Sequence, residues 1–108
     1  MRDIITIGDK GVEMAASAAT PFLFKKVFKR DFLKECQAEN DNTELYIMLG
    51  FVMAKNQNEV LKGSIKEEDF FDWLEQFEYV DMINALPDIV NLYTKQKQGT
   101  SIPKKEAD

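Results

Sequence analysis

A stretch of almost unbroken apolar residues near the middle of the chain constrains the fold most. From Leu45 to Ala54 the sequence reads LYIMLGFVMA, so a helix formed here has no polar face. Its leucine, methionine and alanine content favours a helix over a strand. A helix that is apolar all round has to be covered on several sides or lie at an oligomer interface. Because the segment is only about half as long as a bilayer-spanning helix, we predict a buried central helix.

The residues before this segment predict a hairpin and two helices. Residues 2–16 alternate between apolar and polar positions on either side of a turn at 8–11 (GDKG), a pattern typical of a β-hairpin. Thr20 followed by Pro21 predicts the N-cap and the first helical position of a helix. Asp31 is the predicted cap of a second, shorter helix. A polar loop then leads to the central helix, with Thr43 as its predicted cap.

The residues after the central segment predict further helices. Ser64 and Glu67 have the spacing of a capping box, and the helix that they open carries an apolar stripe of Phe70, Trp73, Leu74 and Phe77. We interpret this stripe as core rather than as a ligand box. Pro87 interrupts the last helical region, where it marks either a kink or the first turn of a separate helix.

The predicted fold class is α+β, mainly α, with an N-terminal hairpin packed on a bundle of about four to five helices. One globular domain is expected over residues 1–94, with the hairpin at 2–16 and the helices at about 20–94. From residue 95 the sequence is polar and loses its periodicity, so residues 95–108 are predicted to be a flexible tail.

The residue inventory argues against most catalytic chemistry. The chain has no histidine and a single cysteine, so it cannot form a Ser-His-Asp or Cys-His triad, an internal disulfide or a zinc finger. Its five glycines are scattered and form no phosphate-binding loop. Cys36 follows the acidic Glu35 and is expected to be a small buried hydrophobe rather than a reactive thiolate. We expect a non-enzymatic protein without a cofactor or a metal.

Charge is distributed unevenly along the chain. The net charge of −5 argues against nucleic acid as a partner. Residues 25–34 are nevertheless basic, whereas residues 67–81 contain seven acidic and no basic residues. These segments are either two solvated helix faces or complementary surfaces that meet between copies or on a partner. We interpret the acidic side chains as surface rather than as a metal site, because no EF-hand spacing is present.

The N-terminal residues do not have the pattern of a secretion signal, since the apolar stretch that begins at Ile4 ends at Gly8. No apolar run is long enough to span a bilayer. We therefore expect a cytoplasmic protein that does not bind a membrane.

Three blocks of the sequence, in this order and spacing, resemble a known family. They are ITIGDKGVEMAASAATPFLFKKVFKRDFLKE, LGFVMAKNQ and DFFDWLEQFEYVDMINALPDIVNLY, which extend from about Ile4 to Tyr93. The family is that of the tail assembly chaperones encoded by long-tailed phages and prophages of Gram-positive bacteria. The resemblance implies a protein of the host cytoplasm, absent from the mature virion. Its implied roles are to bind the tape measure protein, keep its helices soluble, and help recruit tail tube subunits.

Such a role requires an adaptable apolar surface, which five methionines and eight phenylalanines supply. The two oppositely charged segments also permit a homo-oligomer. Amphipathicity predicts a set of partner-binding residues: Phe22, Lys25, Lys26, Lys29, Phe51, Met53, Glu68, Asp72 and Glu75. The acidic face of 67–81 leaves an alternative function open, a small acidic regulatory adaptor or decoy that binds a host or phage protein.

Overall fold

The computed structural model describes residues 1–38 and 41–99, which form one hairpin and six helices. The elements are β1 Arg2–Ile7, β2 Lys10–Ala15, α1 Thr20–Phe28, α2 Phe32–Ala38, α3 Thr43–Ala54, α4 Gln57–Leu61, α5 Glu67–Leu74 and α6 Tyr79–Gly99. The predicted class, α+β and mainly α with an N-terminal hairpin, is confirmed.

The apolar segment forms α3, the central helix, and this prediction is confirmed. Its side chains are buried from Ile47 to Met53, because α1, α5, α6 and β2 all pack around it. The crossing with α6 is close at Gly50, where an added Cβ would lie 3.1 Å from the Cδ1 of Ile89. An alanine at Gly50 would therefore require the Ile89 side chain to shift by a few tenths of an ångström.

The hairpin packs one face against the helices. β1 and β2 are antiparallel, with Ile5 opposite Val12, and the side chains of Ile5 and Ile7 are buried; β1 packs on α6, and β2 packs on α3. The predicted four-residue turn was too long, since only Gly8 and Asp9 lie between the strands. Gly8 has a φ of 66°, and an added Cβ would lie 2.6 Å from the Oδ2 of Asp81 in α6. Glycine thus serves both the turn and the contact between hairpin and helix.

One of the predicted helix caps is confirmed. The Oδ1 of Asp31 accepts a hydrogen bond from the backbone N–H of Lys34 at 3.0 Å, at the start of α2. Thr43 is the first residue of α3 rather than its cap, and its hydroxyl donates to Asp41 at 2.6 Å.

Two other cap predictions were wrong by one or two residues. α1 begins at Thr20 itself, and the Thr20 hydroxyl accepts a hydrogen bond from the N–H of Ser17, so it stabilises the preceding turn instead of the helix. At α5 the Oδ2 of Asp69 accepts from the N–H of Lys66 at 2.8 Å. The capping interaction is therefore displaced by two residues from the predicted Ser64–Glu67 pair.

The C-terminal part of the described chain is one continuous helix, α6, with Pro87 inside it. The alternative in which Pro87 begins a separate helix is therefore wrong. The helix continues to Gly99, past the predicted start of the tail at residue 95, and residues 100–108 of the predicted tail lie outside the described residues. No helix in the described ranges is long and apolar enough to cross a membrane.

Candidate partner-binding groove

A network of aromatic side chains connects α1, α3 and α5. The ring of Phe70 lies 5.4 Å from that of Phe28 and 5.5 Å from that of Phe51, in both cases edge to face. Trp73 lies 5.6 Å from Phe51 and 5.1 Å from Phe77. Such edge-to-face pairs stabilise a core beyond the area that they bury. The interpretation of Phe70 and Trp73 as core is confirmed.

This network reaches the surface in a groove of about 450 Å³ between α3, α5 and the start of α6. The buried side chains of Phe28, Phe70 and Met82 contribute to its lining. Phe71 and Tyr79 also line it, although they are 59% and 70% exposed. We call this the aromatic groove, with its apolar lining formed by Phe28, Ile47, Met48, Phe70, Phe71, Leu74, Phe77, Tyr79 and Met82. Exposed aromatic residues beside an apolar groove are typical of a protein-binding surface.

Charged side chains of both signs border the aromatic groove. Arg30 lines it together with Glu44, Glu67 and Glu78. The guanidinium of Arg30 donates hydrogen bonds to both carboxylate oxygens of Glu35, and its Nη1 lies 3.7 Å from the Sδ of Met48. The groove therefore has an apolar floor and a polar border that is anchored by a bidentate ion pair.

The Arg30–Glu35 pair holds both groups in their charged forms. The hydrogen bonds to Glu35 raise the pKa of Arg30, and the nearby carboxylates of Glu44 and Glu67 raise it further, although burial opposes them. The hydrogen bonds from Arg30 lower the pKa of Glu35. One fixed positive charge thus remains at the border of the groove among several carboxylates.

The sequence-predicted contact residues lie elsewhere on the molecule. Phe22, Lys25 and Lys26 are exposed on α1 and Lys29 is exposed at its C-cap, and Phe22 is 76% exposed. Glu68, Asp72 and Glu75 are exposed along α5 and at its C-cap. None of these side chains lines the aromatic groove.

Two of the predicted contact residues are buried in the folded chain. Phe51 is fully buried and Met53 is 3% exposed, because α3 is covered on several sides. A partner could reach the Phe51 ring only if the core opened. Amphipathicity alone had placed Phe51 and Met53 among the contact residues, and the packing around α3 corrects this for the Phe51 ring.

Sequence reasoning missed Phe71 and Tyr79. The apolar stripe of α5 is formed by Phe70 and Trp73, so the second phenylalanine of the Phe70-Phe71 pair falls among the acidic side chains. An aromatic residue that interrupts a charged helix face is the signal that identifies Phe71. Tyr79 has no comparable signal, because its exposure depends on where α6 begins.

Cys36 is half-buried on α2, and its environment argues for an unreactive thiol. Burial raises the pKa of Cys36, and the nearby Glu35 raises it too, while a hydrogen bond with Tyr46 opposes them. Since the thiolate is the reactive form, less of it is present near neutral pH than in an ordinary cysteine.

We therefore expect iodoacetamide to alkylate Cys36 several-fold more slowly at pH 8 in the folded chain than in the same chain unfolded in urea. Mass spectrometry over a time course measures both rates. The folded-state rate should also continue to increase at pH values where that of the unfolded chain has levelled off. Equal rates in the two states would contradict this description of the Cys36 environment.

No match was found when the chain was compared with models of protein families, with curated proteins and with solved structures. Within residues 1–38 and 41–99, no group of three or more His, Cys, Asp or Glu side chains is arranged to hold a metal ion.

Proposed function

We propose that this chain is a tail assembly chaperone of a long-tailed phage or prophage of a Gram-positive host. It binds amphipathic helices of the tape measure protein in the host cytoplasm and helps recruit tail tube subunits, without catalysing a reaction. The observation that carries the proposal is the aromatic groove, an apolar surface bordered by charges of both signs. The resemblance of the three sequence blocks to the chaperone family supplies the identity of the client.

The chemistry of the aromatic groove suits an amphipathic helix. Its volume of about 450 Å³ has room for apolar side chains from a client. Met48 and Met82 line it, and methionine adapts its shape to different apolar side chains more readily than branched residues do. Arg30 and the neighbouring carboxylates can contact the polar flanks of a helix whose apolar face enters the groove.

The energetics suit a chaperone that must later be released. Burying an exposed aromatic side chain such as Phe71 contributes about 1.5 to 3 kcal/mol to binding. We expect each contact at a single groove to be weak and reversible, because one helix face docked there would bury much less surface than a standard stable protein interface. Copies that also associate with one another along an extended client would gain strength from multivalency.

Co-expression with the tape measure protein of the same genome tests the proposal. The chain is expected to raise the soluble fraction of this client. Phe71→Asp should abolish most of this increase in client solubility, because it places a charge at the exposed edge of the aromatic groove. Phe22→Asp is the matched control, since Phe22 is an exposed phenylalanine outside the groove, and it should retain the gain.

An unchanged client solubility with the native chain would count against the chaperone function itself. If Phe71→Asp and Phe22→Asp lowered the soluble fraction of the client equally, the aromatic groove would not be the client-binding site. The gene neighbourhood provides an independent check, because a chaperone gene of this kind should lie between the genes of the major tail protein and of a very long tape measure protein.

The acidic decoy is the second candidate function, and the exposed carboxylates of Glu68, Asp72 and Glu75 favour it. They lie outside the aromatic groove, so the two functions use different residues. In the variant that combines Glu68→Gln, Asp72→Asn and Glu75→Gln, the chaperone proposal expects client solubility to be retained. Loss of binding to a basic nucleic-acid-binding protein in that variant would favour the decoy instead.

A further inference from the structure

The second strand of the hairpin has an open edge. Ala16 and Met1 exchange two backbone hydrogen bonds, of 2.7 and 2.6 Å, which continue the β1–β2 register. In an antiparallel pair such bonded positions alternate with positions whose N–H and C=O groups point away from the partner strand. The backbone groups of Gly11, Glu13 and Ala15 therefore point outward. Among the described residues, none of these three outward N–H groups donates a hydrogen bond to another element.

This edge faces a large cleft. The cleft has a volume of about 1250 Å³, and β2 lines it from Lys10 onward. The helical side of the cleft is formed by the end of α3, the start of α4 and the residues around Trp73. We call it the edge cleft. Unpaired edges that face open space are the usual acceptors of an added strand.

We propose that the edge cleft binds an extended acidic polypeptide segment, which adds to β2 as a third strand. This inference does not depend on the chaperone function, because the aromatic groove and the edge cleft present different chemistry to a partner. The added strand pairs its backbone with Gly11, Glu13 and Ala15. Alternate side chains of the strand then point toward the helical side of the cleft, whose lining includes Leu23, Val52 and Trp73.

The charges of the edge cleft select an acidic occupant. Arg2, Lys10 and Lys55 line it against a single carboxylate, that of Glu13, although the whole chain is acidic. The carboxylate of Glu13 is already paired with Arg2 at 3.3 Å. In the described part of the chain neither Lys10 nor Lys55 forms an ion pair. Two cations are thus available to carboxylates of the added strand.

The same charges argue against two other occupants. A second copy of the chain would bring an equally basic edge against this one, and its own helices would meet the helical side of the cleft. The C-terminal residues of the chain include Pro103, which cannot donate a ladder hydrogen bond, and residues 95–108 carry four lysines against two acidic residues, so they too are basic overall. An acidic segment from another protein fits better than either.

The test uses the full chain and a short blocked peptide in which glutamate and valine alternate. Binding is measured by the fluorescence of Trp73, the only tryptophan, which lines the edge cleft. A peptide with lysine in place of glutamate, and a glutamate peptide with N-methylated amides along one edge, should both bind roughly tenfold more weakly or worse. Amide exchange measured by NMR should slow at Gly11, Glu13 and Ala15 when the glutamate peptide binds.

Two variants separate strand addition from simple charge attraction. Ala15→Pro removes one outward N–H while the β1–β2 ladder is kept, and it should weaken the binding roughly tenfold relative to Ala15→Ser. Lys10→Glu combined with Lys55→Glu should reverse the preference from the glutamate to the lysine peptide. Thermal unfolding verifies that each variant is folded. If Ala15→Pro does not fold, the charge-reversed variant still tests whether the edge cleft selects an acidic peptide.

The proposal is overturned if the glutamate peptide does not bind, or if it binds without slowing exchange at the three outward amides. It is also overturned if these amides are protected without peptide. Protection that increases with protein concentration would identify a second copy as the occupant, and protection at every dilution would identify the chain's own residues.

Discussion

Phe51→Ala is expected to lower the free energy of unfolding by about 3 to 5 kcal/mol, the range for a fully buried phenylalanine. The Phe51 ring is completely buried and lies edge to face with Phe28, Phe70 and Trp73. Its removal leaves a cavity where α1, α3 and α5 meet. It also removes the ring over which the amino group of Lys55 lies at 5.3 Å. Urea unfolding followed by circular dichroism measures the difference.

Phe22→Ala is the control, because it deletes the same side chain from an exposed position. It should change the free energy of unfolding by no more than about 0.5 kcal/mol. Because both variants lose the same side chain, the difference between their free energies of unfolding reports the effect of burial alone. A loss below about 1 kcal/mol for Phe51→Ala would contradict the central position of α3 in the core.

The sequence pattern predicted the elements of the fold well where local periodicity and packing agree. The run from Leu45 to Ala54 has no polar side, and it is the helix that the others surround. The alternation in residues 2–16 gave the correct inward face of the hairpin, because Ile5, Ile7 and Met14 are buried. The spacing of apolar residues and their hydrophobicity are local properties, which a single sequence shows directly.

Helix caps were less predictable, because several polar residues near a helix start compete for the same N–H groups. At α5, Ser64 and Asp69 are both acceptable capping residues, and only the path of the backbone selects Asp69 for Lys66. At α1 the Thr20 hydroxyl accepts from Ser17 instead of capping the helix. A cap depends on where the chain enters the helix, and the preceding packed element determines this.

The candidate sites could not be predicted from amphipathicity alone. Phe51 and Phe71 are both phenylalanines in helices, yet one is buried and the other is 59% exposed. The difference arises because α3 is surrounded by other elements, whereas one side of α5 remains open. The edge cleft likewise depends on the distance between the hairpin and the end of α3, and no local pattern encodes this distance.

Pro87→Ala is expected to stabilise the protein, by about 1 to 3 kcal/mol. Pro87 lies inside α6 and is exposed, so its ring makes no contribution to the core that alanine would lose. Proline has no N–H to donate to the carbonyl of Ile83, four residues earlier, and it disfavours a helix interior by about 3 kcal/mol relative to alanine. Against this, proline restricts the unfolded chain, which offsets about 0.4 to 1 kcal/mol.

Thermal unfolding of Pro87→Ala beside Asp88→Ala measures the effect. Asp88 is the neighbouring exposed residue, so its replacement tests the surface of α6 without restoring a backbone hydrogen bond, and it should change stability by about 0.5 kcal/mol or less. If Pro87→Ala were instead destabilised, the path that Pro87 imposes on α6 would be needed for the helix to contact both β1 and α3. The packing gained by that path would then outweigh the backbone hydrogen bond that proline cannot make.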